Sequence, residues 1–179
     1  MDLQFIPIGD GAADSAALVE LLSGDEWPFH GTSRPSREAV ERQVAAGSFS
    51  GSEVRSFWIR EAEDTAGVVV LRDLGDPTPV FDLRLRTAYR GRGIGTAAVR
   101  WLTDYLFTEF REILRIEGHT RRDNLAMQRV LERSGYVREA HHRQAWPSSG
   151  GGVYDSFGYA IIRQDWFSGD VTPVELEPR

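Results

Sequence analysis

The chain has no cysteine and no lysine among its 179 residues. The first absence excludes disulfides, thiolate metal sites and a cysteine nucleophile. The second excludes the phosphate-binding loop that relies on a lysine after its glycines. Long apolar runs are missing too, so no segment is expected to cross a membrane. Nor does the amino terminus show the basic start and apolar middle of a secretory signal, which leaves the cytoplasm as the expected compartment. Bases are outnumbered by acids, 21 to 27, for a net charge of -6. That balance argues against a general nucleic-acid binder.

What is present is ordinary for one soluble globular domain: 41% hydrophobic and 27% charged residues, with enough length to bury a core. No repeat and no linker divides it, so residues 1–179 are read as a single domain. The charge is unevenly placed. Thirteen of the 21 basic residues, all arginines, lie between Arg84 and Arg143, against seven acids in the same stretch. Solvated helix faces would account for this, and so would a local site for a polyanion inside an acidic protein.

Periodicity predicts strands at Leu3–Ile8, Ser56–Arg60, Ala66–Leu71, Val80–Arg86, Arg115–Thr120, Tyr136–Ala145 and Val153–Arg163. It predicts helices at Ala13–Leu22, at Ser36–Ala46, from the turn at Arg90–Gly95 to about Phe110, and from a cap at Asp123 or Asn124 to Ser134. Glycine and proline mark loops at Ser23–Gly31 and Pro147–Gly152, and the tail after Trp166 has turn composition. The pattern describes an α+β (mixed α/β) domain, with helices packed on a mostly antiparallel sheet.

The most informative stretch is Tyr89-Arg90-Gly91-Arg92-Gly93-Ile94-Gly95-Thr96, between a strand and a long helix. A diphosphate needs several backbone N–H groups aimed at one spot with no side chain in the way. Glycine permits the backbone angles and the close approach, and the helix N-terminus adds partial positive charge. Arg90 and Arg92 can add full charge, and Thr96 a hydroxyl donor. A dinucleotide-binding turn would carry a third glycine where Thr96 stands and would follow the first strand rather than the fourth.

In this setting Arg90-Gly91-Arg92-Gly93-Ile94-Gly95 resembles the Arg/Gln-x-x-Gly-x-Gly/Ala motif of the GNAT superfamily of N-acetyltransferases. A second segment, Asn124 through Gly135-Tyr136, is similar to that family's Asn-x-x-Ala/Ser…Gly-Phe segment at the expected distance. Glu139–Gln144 and Asp155–Trp166 look like the subgroup of ribosomal-protein N-terminal acetyltransferases. The resemblance covers roughly 67–166, with 167–179 as a tail. It implies a six- to seven-stranded sheet with a splayed β4/β5 pair, about four flanking helices, and acetyl-CoA lying in the splay. The backbone of Leu83, Arg84 and Leu85 would meet the pantetheine arm, Gly91 to Thr96 the diphosphate, Asn124 the arm or its surroundings, and Arg129 and Arg133 the nucleotide end. It also leaves room for a homodimer through the late strands. A chain without lysine amines suits a handler of activated acyl groups, although a GC-rich coding bias is the stronger explanation of the arginines.

Amine acetylation needs a base for the amine proton, donors for the carbonyl oxygen and a proton for the departing thiolate. Leu131 and Met127 occupy the positions where this family places a tyrosine or serine donor, and neither can donate; Ser134 and Tyr136 are the nearby substitutes. Glu117, Asp82 and His30 are the candidate bases. Glu26, Trp27, Phe29, Trp146 and Tyr154 are candidates for the acceptor wall, and no metal is expected. The adjacent His141 and His142 face opposite ways on a strand. The expected function is acetyl transfer from acetyl-CoA to a primary amine. A binding module without turnover, and transfer of a longer acyl group with Arg34 or Arg37 on its carboxylate, remain as rivals.

Overall fold

The computed structural model describes residues 2–174; Met1 and the end of the expected tail, 175–179, lie outside it. Seven strands form one sheet: β1 (Leu3–Pro7), β2 (Arg55–Glu61), β3 (Asp64–Arg72), β4 (Val80–Leu85), β5 (Arg115–Arg121), β6 (Val137–Pro147) and β7 (Val153–Ile162). Their order across the sheet is β1-β2-β3-β4-β5-β7-β6. Every pairing is antiparallel except β4 with β5.

β3 reads as a nearly unbroken apolar run, Ala66 and Val68 to Leu71, because both its faces are covered. Val69 and Leu71 pack in one core with α3 (Ile94–Glu109) and α4 (Leu125–Arg133). Val68 and Val70 point the other way, into a second core with α1 (Ala12–Ser23) and α2 (Arg37–Ala45). The stripe along α3 supplies Ile94, Ala98, Leu102 and Leu106 to the first core. Trp101 stacks on Phe5 at 4.1 Å between ring centroids, tying β1 to the same helix. No helix among the described residues is long and apolar enough to cross a membrane.

The chain departs from its sequence pattern in two places. A fifth helix, α5 (Arg163–Ser168), stands where strand and turn were expected. It is one and a half turns long, too short to show a period. Asp165 fixes the chain beyond its end by accepting from the Thr172 N–H and hydroxyl. β6 runs on to Pro147, two residues past its expected end, so Trp146 lies on the strand, opposite Tyr154 across the hairpin.

Parallel β4 and β5 share one register pair, Val80 with Glu117, among the described residues. Below it the Leu114 and Glu117 N–H groups donate to the Pro77 and Pro79 carbonyls at 2.8 and 3.0 Å. Above it the strands separate.

Arg163 closes the far end of α3. Its guanidinium donates to the carbonyls of Phe107, Phe110 and Ile113 at 2.7, 2.5 and 2.7 Å. A cation at a helix C-terminus satisfies carbonyls that have no helical partner. Arg163→Ala should therefore lower stability by about 2–4 kcal/mol, seen as a fall in Tm of roughly 5–15 °C in thermal melts. Arg163→Lys should recover only part of that loss, since it lacks the fork.

Candidate functional site

The turn before α3 is built as its composition suggests. Gly91 and Gly93 adopt φ of 72° and 85°, the left-handed region where a side chain would strain the backbone. Gly93 is the N-cap of α3 and supplies no capping side chain. Among the described residues no acceptor takes the N–H groups from Gly91 to Thr96. Six donors are thus left at the positive end of a helix, the arrangement that holds a phosphate. Gly95 has a different job: a Cβ there would sit 3.3 Å from Val130, so its smallness lets α3 approach α4.

The edge of β4 opens beside this turn. The Arg86 N–H donates to Ala66, and Val80, Asp82 and Arg84 stand opposite Arg72, Val70 and Val68. By the alternation of an antiparallel ladder, the peptide groups of Leu83 and Leu85 face the gap where β5 has moved away. Leu83 and Leu85 line a cavity of about 410 Å³ together with Gly91, Gly93, Gly95, Thr96, Asn124 and Arg129. The Asn124 side-chain oxygen accepts from the Met127 N–H and caps α4, which leaves its NH₂ group for a ligand.

The loop between α1 and α2 forms the cavity's other wall, through Trp27, Pro28, Phe29 and His30. It is held from several sides. Asp25 accepts from the N–H and hydroxyl of Thr87. Arg90 donates from Nε to Leu85 at 2.8 Å and from Nη2 to the Glu26 carbonyl. The Ser149 N–H at the β6–β7 hairpin tip donates to Gly31 at 2.7 Å. His30 Nε2 donates to Asp82 Oδ1 at 2.9 Å, while Arg84 Nε reaches Asp82 Oδ2 at 3.0 Å. Burial alone would raise the Asp82 pKa, but the Arg84 charge and the His30 bond outweigh it and hold the carboxyl well below its ordinary value. His30 Nδ1 is buried and has no partner among the described residues.

Not every expected side chain joins this cavity. Arg92 pairs with Glu61 at 2.7 Å and lies over Tyr89, so only its backbone faces the turn. The Ile94 side chain is wholly buried in the core. Arg84 turns its backbone to β3 and its side chain to Asp82, away from the open edge. Trp27 is a core residue at 1% exposure, its indole N–H on the Leu22 carbonyl, although one surface reaches the cavity. Glu26 pairs with Arg34. Glu117 lies between Arg115 and His119 at 3.0 and 3.2 Å and is not part of the cavity lining. Trp146 is half-buried on β6, also outside it. Ser134 donates to Val130, and Tyr136 shares a buried hydrogen bond with Thr103, its pKa raised by burial. The residue that sequence reasoning missed is Arg121, buried against Phe29 and Tyr154. Nothing local distinguishes it from Arg122 beside it.

Residues 4–137 match the Acetyltransferase (GNAT) domain family. A curated relative, the probable N-acetyltransferase YjcK of Bacillus subtilis, is 42% identical over 60 residues, which is 34% of this chain and 33% of that protein. Among solved structures, a chimera of the spermidine N-acetyltransferase SpeG from Vibrio cholerae and hSSAT superposes with a TM-score of 0.77 at 17% identity, covering 93% of this chain and 99% of that one. The ribosomal alpha-N-protein acetyltransferase RimL, solved with coenzyme A, gives 0.75 at 20% identity, covering 89% and 93%. At such identities the structures establish the fold.

The lowered Asp82 pKa has a defined sign in stability. Its contribution is present above the ordinary value of 3.8 and is lost as pH falls through the depressed native value. Asp82→Asn should be less stable than wild type at neutral pH, and the gap should narrow steadily below about pH 3.8 in urea titrations.

Proposed function

Because this chain belongs to the GNAT acetyltransferase family, we propose that it moves an acetyl group directly from acetyl-CoA to a primary amine, both bound together in the cavity between β4 and the α1–α2 loop. It is an acyltransferase, and its family uses acetyl-CoA. The observation that carries the reading is the shared cavity: Gly91, Gly93, Gly95 and Thr96, with their free donors, line the same space as His30.

The thioester of acetyl-CoA supplies an activated acyl group. The N–H groups of Gly91 to Thr96 hold its diphosphate, the free peptide groups of Leu83 and Leu85 extend along its pantetheine arm, Asn124 donates to that arm, and Arg129 serves the nucleotide end. His30 is the general base. Its Nε2–H is committed to Asp82, so Nδ1, the ring nitrogen without a partner, is the one left to take a proton from the amine once the acceptor displaces what covers it. Asp82, held ionised by Arg84 and His30, fixes that tautomer and supports the charge that forms on the ring. Glu117, engaged by Arg115 and His119, has no such role in this reading. Ser134 and Tyr136 are spent on internal bonds, so water protonates the thiolate.

The acceptor enters past Pro28, Phe29 and Tyr154. Similarity of Glu139–Gln144 and Asp155–Trp166 to the ribosomal-protein N-terminal acetyltransferases favours a peptide α-amine over a polyamine. A catalytically silent acyl-CoA binder is the second reading, supported by the missing thiolate donor at Leu131 and Met127.

Calorimetric titration should show about one acetyl-CoA bound per chain and no NAD. Gly93→Val, which forces a side chain onto φ of 85°, should weaken that binding at least about tenfold. In a thiol-release assay with peptides and polyamines as acceptors, His30→Gln should lower kcat/KM by roughly a hundredfold while leaving the acetyl-CoA Kd unchanged. Binding without thiol release on any acceptor would instead select the silent binder.

A further inference from the structure

Arg121 ends β5 at 7% exposure, an uncommon position for a charge. Its Nε and Nη2 donate to the two oxygens of Asp123 at 2.9 and 2.6 Å. The remaining terminal nitrogen, Nη1, donates to the Pro28 carbonyl at 3.3 Å. The guanidinium carbon lies 3.5 Å from the Tyr154 ring centroid and 5.5 Å from that of Phe29. A planar cation that stacks through its faces while donating through its edge satisfies all four neighbours at once.

Those neighbours come from separate parts of the fold. Pro28 and Phe29 belong to the α1–α2 loop, Tyr154 to β7, and Asp123 to the entry of α4. His30 follows Phe29 directly, and its ring sits on Asp82 of β4. The loop therefore spans the gap between the diverging strands, fastened on the β4 side at Asp82 and on the β5 side at Arg121. A segment this short, fastened at both ends, has little freedom left for the ring between them.

We propose that Arg121 is a positioning residue for the transfer reaction: by clamping Pro28 and Phe29 across the mouth of the cleft, it keeps the His30 ring seated on Asp82, with the ring proton on Nε2 and the Nδ1 lone pair unprotonated. This rests on the reading of His30 as the base. Arg121 itself touches no reacting atom and acts through the loop.

The test uses the full chain, isotope-labelled, and follows water exchange of the His30 ring N–H by NMR, with the resonance assigned from His30→Gln. Asp82→Asn, which weakens the acceptor of that proton, is the positive control. In Arg121→Ala the exchange should be at least about tenfold faster than in wild type. In Tyr154→Ala, a change at a partly exposed ring that carries the test should the buried arginine prove necessary for folding, it should be several-fold faster. Both variants should bind acetyl-CoA within about twofold of wild type by calorimetry, since neither residue borders the turn. Exchange within about twofold of wild type in the variants that fold would overturn the proposal, as would loss of acetyl-CoA binding in step with faster exchange, which marks a general loosening. If His30→Gln leaves acetyl transfer intact, the assignment of the base fails, while the exchange data still decide whether Arg121 holds the ring.

Discussion

A parallel pair of strands that pairs once and then parts is the constraint on which the rest of this molecule depends. β4 and β5 meet at Val80 and Glu117, and the gap above that point exposes strand edge in the middle of a sheet. The antiparallel ladder from β4 to β3 and the seven paired positions from β5 to β7 hold each half of the sheet rigid. α3 and α4 pack in one core against both halves, and α1 and α2 cover the other face of β2 and β3. Everything placed near the gap, from the turn before α3 to the loop after α1, is positioned by where β4 and β5 point.

The two walls of the cleft are made of different material. On the α3 side the cavity is lined by Gly91, Gly93, Gly95 and Thr96, whose backbone N–H groups have no acceptor among the described residues, and by Leu83 and Leu85 of the strand edge. These need small residues and correct angles. On the loop side the inward groups are side chains: His30 on Asp82, Phe29 and the edge of Trp27. Side chains can be exchanged one at a time without moving the sheet. The division suits a donor that stays constant and an acceptor that varies between relatives.

Backbone chemistry leaves a local mark, and this is why the turn could be read from the sequence. Gly91 and Gly93 show the turn in their spacing, and the stripe of Ile94, Ala98, Leu102 and Leu106 shows the helix behind them. The seven strands were legible for the same reason. Side-chain partners across distance leave no such mark. Arg92 sits in the motif yet pairs with Glu61, and Arg90 is spent on Leu85 and Glu26. Trp27, in a stretch of loop composition, fills the second core. Arg121 and Arg122 look alike in sequence; one is buried between two rings and the other lies at the surface. Each of these outcomes is set by a contact many positions away, and a short helix such as α5 is ended by Gly169 and the Asp165–Thr172 bonds rather than marked by a pattern.

An open strand edge is ordinarily a hazard, because any extended chain can add to it and begin a larger sheet. Here that edge is recessed between α3, α4 and the α1–α2 loop, inside a cleft rather than along a border. A slender chain with amide groups can lie against Leu83 and Leu85, within a cavity of about 410 Å³. In the proposed function the unpaired strand keeps its adhesive property for one thin guest, so the same hydrogen-bonding row that would promote aggregation on the outside becomes a rail within.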